Sequence, residues 1–355
     1  MDFVNFNRNG SEYVKSLINK AILDDSRTAV VSGKWIIDSA IRLPSNFTLV
    51  LQDCHLVMAD NVYDNMFINE HHGTELGKTI DGTDCNVEIV GKGNAVLDGG
   101  NYNNLSERNH SSNGLPHVTK NCLIFFTNVD GFKISGISCI NQRYWALNFL
   151  YSRNGYLGNI NFCANDTAIS QDGTVYHGLI RSKYADVLVK NADGIDLRQG
   201  CHDIVIENVT GFTEDDTIAI TGLYGKFEKS YKVEGLIEDI YNVTVKNIKS
   251  SAYCTNVRLL NQGGVKLHDV LIDGVYDTSA EDPHLDVGRY AVRVGDVHLY
   301  GSRHSTKQET YNITIKNVNS RAEYAIAVAG AITNLVIENV TCRDGCKPLL
   351  DNTTE

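Results

Sequence analysis

One strand phrase recurs along the chain and constrains its fold more than any other feature. CNVEIVGKG begins at Cys85, GFKISGISCIN at Gly131, HDIVIENVTGF at His202, YNVTVKNIKSS at Tyr241, VKLHDVLIDGVYD at Val265, YNITIKNVNSR at Tyr311 and TNLVIENVTCRD at Thr333. Each copy is a short alternating strand, then Asn or Gly, then a second apolar pair. Asn317 and Asn339 occupy equivalent places 22 residues apart, and Asn208 and Asn247 do so 39 apart. A unit this short cannot bury its apolar face alone and must stack on its neighbours, which makes a solenoid. A leucine-rich repeat would need Leu at the apolar positions, whereas these use Val and Ile alternating with Thr, Lys or Glu. The prediction is an all-β fold: a single-stranded, right-handed parallel β-helix whose coils stack about 4.8 Å apart. It forms one domain over residues 1–355.

The recurring Asn has a physical task in such a stack, because its amide can hydrogen-bond to the Asn of the next coil as stacked amides do in other β arrays. That explains the N-x-S/T sequences at Asn208, Asn242, Asn312 and Asn339 without glycosylation. EYVKSLINKAILDD places Val14, Leu17, Ile18, Ala21 and Ile22 at helical spacing. A helix within about residues 10–30 is therefore expected to cap the open end of the solenoid. Residues 100–120 are polar and turn-rich and should protrude as a loop, and 221–240 and 278–289 are further loop candidates.

A net charge of −11 disfavours non-specific contact with nucleic acid or an anionic membrane, and no apolar run reaches bilayer-spanning length. No basic-then-apolar leader is visible, and nine Cys without a C-x-x-C pair read mainly as reduced, buried thiols, with Cys342 and Cys346 the most plausible exception. Both features point to the cytoplasm.

With a coil of about 22 residues, NADGID and EDDTIAI become neighbours, and Asp193 and Asp215 should lie one above the other with Asp216 beside them. Three clustered carboxylates repel, so at least one is expected to hold a proton near neutral pH. A glycosidase needs such a pair, one carboxyl to protonate the leaving oxygen and one carboxylate to activate water or attack carbon. Two other readings stay open at this point: turn capping, and a Ca²⁺ site with oxygen ligands. Asp196 and Asp203 alone carry little, since single Asp residues commonly cap turns.

NADGID followed by EDDTIAI resembles the N-T-D-G-x-D and D-D-C-I-A-I motifs of glycoside hydrolase family 28, the polygalacturonases and rhamnogalacturonases. SLINKAILDDSRTAVVSGKWIIDSAIRLPSNFTLVLQDCHLVMA, NVEIVGKGNAVLDGGN, GFKISGISCINQRYWALNF and YNVTVKNIKSSAYCTNVRLL are similar to further coils of that family, so the resemblance covers most of residues 10–345. It implies an inverting hydrolase without metal or cofactor, acting on a carbohydrate. On that resemblance Asp215 is the general acid, and Asp193 with Asp216 holds and deprotonates the attacking water. Asn191 orients Asp193 or contacts the sugar, and Trp145 lines the cleft.

The chain also departs from the family. The G-H-G turn after the Asp pair is missing, since no His lies between His202 and His268, and the R-I-K motif reads Arg258-Leu259-Leu260. Losing the Lys removes a cation from the family's carboxylate pocket, which argues against ordinary homogalacturonan and for a neutral or differently decorated sugar. His177, Arg181 and Lys183 lie in extra chain that could add groups to the cleft. Tyr290 and Arg293 are cleft candidates too, although ordinary strand positions is the favoured reading for both. The alternatives to a hydrolase are a lyase or intramolecular glycosyl transferase on the same scaffold, or a non-catalytic glycan-binding β-helix.

Overall fold

The computed structural model describes residues 4–100, 120–164, 167–169, 175–177, 192–279, 287–295 and 303–354. Most of the proposed loop at 100–120, part of the one at 278–289, and Asn191, Arg181, Lys183 and the His177 side chain fall outside the described residues.

The repeated phrase explains its own geometry. In HDIVIENVTGF, Ile204 and Ile206 point inward with the two-residue period of a strand, and Val209 follows three residues later, also fully buried. Asn208 absorbs the extra residue by taking a left-handed conformation, φ 56°, so the chain turns a corner and still sends Val209 into the core. Asn247, Asn317 and Asn339 do the same at φ 53°, 58° and 53°. Asn tolerates this conformation better than other residues with a side chain. Its amide also bonds along the stack: Asn339 Nδ2 donates to Asn317 Oδ1 at 2.6 Å, and Asn247 Nδ2 to Asn208 Oδ1 at 3.3 Å. Asn208 and Asn312 likewise donate to Asn159 and Asp269 one coil back, so the glycosylation-like sequences are ladder positions.

In-register stacking carries the core. Ile204, Ile206 and Val209 pair with Val243, Val245 and Ile248, then with Val270, Ile272 and Val275, then with Ile313, Ile315 and Val318. The long bent strands build one 12-stranded sheet, and shorter strands build a second, 10-stranded sheet. All pairings within these two sheets are parallel, as in a β-helix, and a short antiparallel pair, Thr167–Ile169 with Val175–His177, stands apart. At the N-terminus the helix Gly10–Leu23 lays Val14, Ile18 and Ala21 over the first coil, with Tyr13 stacked on Trp35 at 4.0 Å. No disulfide joins any of the nine cysteines, Cys342 and Cys346 included. No described helix is long and apolar enough to cross a membrane.

Candidate active site

The second sheet positions the acidic residues. Its strand Ile195–Leu197 pairs with Asp216–Gly222, Ile195 opposite Ile218. The offset is 23 residues, so the expected stacking shifts by one: Asp193 lies level with Asp216, and Asp215 is displaced beside them. Asp193 Oδ1 accepts the Asp216 backbone N–H at 3.0 Å, which fixes these two relative to each other. Asp193 and Asp216 are buried, whereas Asp215 is partly open to the surface.

Burial and crowding favour protons here. Desolvation, then the charges of Asp196, Asp215 and Asp216, push the Asp193 carboxyl well above its usual range. Desolvation followed by the Asp216 charge raises Asp215 to about 7, against a small lowering from the Cys254 thiol. Asp216 Oδ2 instead accepts from Arg258 Nη1 at 3.1 Å, a buried ion pair. The cluster thus holds carboxyls in different environments, which is how one site supplies both an acid and a base.

Asp196 joins the acidic cluster, although a single Asp at a turn signals little in sequence. It sits between buried Ile195 and Leu197, and strand alternation sends it to the outer face beside the trio, where burial raises it to about 7. Its partner Arg198 bonds it through Nη2 at 3.0 Å and reaches Glu228 through Nη1 at 3.1 Å. The parity of the strand was the available signal for Asp196. Glu228 had none, because it arrives from the separate helix Lys226–Ser230 inside the region 221–240.

The other candidates divide. Arg258 stands in the site, and Leu260 is buried. Trp145 is 8% exposed, and its ring lies under the Arg198 guanidinium at 4.0 Å and edge-on to Phe227 at 5.4 Å, so it is a packed wall rather than an open platform. Tyr290 and Arg293 both lie in the strand Tyr290–Val294 of the second sheet. Register places Arg293 directly beside Arg258, and Tyr290 in the row Asp216–Thr255–Tyr290–Tyr324. The Arg293 guanidinium lies 5.0 Å over the Tyr290 ring. Both line a depression of about 640 Å³ with Ala327, Leu350, Asp351 and Asn352. The missing Lys therefore has a neighbour in kind: a second guanidinium one coil on. Oxygens of Asp215 and Asp216 and the Cys254 sulfur lie within 4.8 Å of one another. That mixed trio falls short of the six to eight oxygen ligands of Ca²⁺.

Residues 64–229 match the family model of the glycosyl hydrolases family 28. Over these residues the chain is similar to that family of glycosidases. No curated protein sequence matches it. Among solved structures it is similar to the GH82 iota-carrageenase from A. fortis (12% identity, covering 98% of this chain and 87% of that one, TM-score 0.60). It is also similar to the exopolygalacturonase from Thermotoga maritima (14%, 96% and 87%, TM-score 0.54) and the endo-xylogalacturonan hydrolase from Aspergillus tubingensis (14%, 98% and 95%, TM-score 0.52). At these identities the likeness is one of fold, the right-handed parallel β-helix, and the family match covers the coils that carry the trio.

Proposed function

We propose that the chain hydrolyses a glycosidic bond of an oligo- or polysaccharide with inversion, using Asp215 as acid and Asp193 with Asp216 to hold and deprotonate water. The observation that carries this reading is the proximity of a partly exposed carboxyl raised to about 7, Asp215, to the Arg258-paired Asp216. Asp215 would give its proton to the leaving oxygen. Asp216 would take one from water, with Asp193 fixing its backbone.

Acid and base of inverting glycosidases usually stand about 6.5–9.5 Å apart, with water between them. The Asp215 and Asp216 oxygens within 4.8 Å are closer than that. On this reading water is therefore held by Asp193 and Asp216 from the side, and inversion itself rests on the family resemblance. The partner is a carbohydrate, and the Arg258–Arg293 row suits one with an anionic substituent displaced by a coil from the family's usual position.

Proton NMR of digests of polygalacturonate, xylogalacturonan, rhamnogalacturonan and iota-carrageenan tests the proposal. New reducing ends whose first-formed anomer is opposite to the substrate linkage are expected. Unsaturated sugars would replace the reading with a lyase, anhydro-linked products with a transferase, and a retained anomer would remove inversion.

A further inference from the structure

We infer that residues 222–239 close one end of the groove, so that the site accepts the end of a glycan chain rather than its middle. This rests on the hydrolase reading above. The outer face of the second sheet carries one row across successive coils, Ile68–Phe125–Asn148–Asp196–Ala219–Arg258–Arg293. On an unobstructed β-helix such a row floors an open groove along the axis. Here its two halves differ.

On the N-terminal side Ile68 is 5% exposed and Phe125, Asn148 and Asp196 are fully buried. What covers them comes in large part from one insertion. The Tyr231 ring lies 5.1 Å from Phe125, and Phe227 lies 5.9 Å from Phe125 and 5.4 Å from Trp145. Val233 is fully buried in the same apolar cluster.

The insertion is also fastened. Arg198 joins its Glu228 to Asp196 of the floor, in a buried charge triad capped by the Trp145 and Phe227 rings. Backbone bonds tie Glu234 N–H to Lys78 O and Gly200 N–H to Glu238 O, both at 2.9 Å. Glu228 further accepts the Gly225 N–H at 2.8 Å, closing the first turn of the short helix. Packed aromatics and the buried Asp196–Arg198–Glu228 bridge hold this insertion against the floor as a wall.

The position of the wall sets its consequence. Ala146 N–H bonds Asp193 O, so Trp145, which the insertion covers, belongs to the coil immediately before Asp193. With coils about 4.8 Å apart, the blocked side has room for little more than a terminal sugar beyond the carboxyls. On the C-terminal side Ala219 and Arg258 are also buried, but from the next coil on Arg293, Tyr290 and Leu350 stay partly exposed around the 640 Å³ depression, where the rest of the chain can lie.

The test follows polymer size and product size together in digests of the four polysaccharides named above. The expected result is a mono- or disaccharide as the first and continuing product, with polymer size falling only in step with sugar release. An early ladder of intermediate oligosaccharides with rapid loss of polymer size would overturn chain-end action and leave the hydrolase reading intact. Failure to cleave any of the four would sink the hydrolase reading and this inference with it. The double variant Phe227→Ala/Tyr231→Ala, shown by circular dichroism to keep its β-helix, should release longer first products. An unchanged product size from that folded variant would overturn the role given to the insertion.

Discussion

Replacing Asp215 by Asn should separate chemistry from stability. Burial and the charges of Asp216 and Glu214 raise this carboxyl from 3.8 to about 7. Between those values the folded chain holds a proton that the unfolded chain has released. Its stability therefore falls as pH rises through that window and falls no further above it. A shift of about three units is worth about 4 kcal/mol at full value. Asp215 is partly open, and its charge is shared with its neighbours, which brings the expected cost to about 2 kcal/mol. Asn carries no charge at any pH. Asp215→Asn should thus melt above the parent at about pH 8 and level with it at about pH 3, below both values, while turnover drops by about 10²–10⁴, the usual contribution of a general acid. Paired thermal melts and initial rates on a cleaved polysaccharide measure both. A variant that melts below the parent at the higher pH would mean the charged form is structural. Turnover within about tenfold of the parent would remove Asp215 from the acid role.

Three further outcomes are expected. Arg258→Met leaves the buried Asp216 without its ion-pair partner and should lower stability by about 3 kcal/mol at neutral pH, read by denaturant unfolding. Arg293→Met should raise KM for an anionic oligosaccharide by about tenfold with kcat little changed, since one charge-assisted contact is worth about 1.5 kcal/mol and lies away from the reacting bond. Asn247→Ala, at φ 53° in the amide ladder, should cost about 2 kcal/mol, and Asn247→Gly should recover the backbone share of that loss, seen as a partial return of the unfolding midpoint.

The parts of this molecule that were legible in its sequence are those the coil repeats. Ile204, Ile206, Asn208 and Val209 have counterparts in coil after coil, and each copy is held by the same two demands, inward apolar parity and a left-handed corner. Turn lengths are under no such demand. The 22-residue step from Asn317 to Asn339 did not transfer to Asp193, whose register partner is 23 residues on, and that single residue exchanges Asp215 for Asp216 as its neighbour. Arg293 in YAVRV has the pattern of any buried strand, and only the register sets it beside Arg258.

The insertion at 222–239 was the least legible element for the same reason. Its local sequence is polar and turn-rich, and it became a wall through contacts with Phe125, Trp145 and Arg198, which belong to coils far earlier in the chain. A solenoid frees its turns to vary because the core does not pass through them. What the chain does to a glycan is therefore written where the period stops: the coils bring the carboxyls together, and an aperiodic segment sets how much of the substrate can reach them.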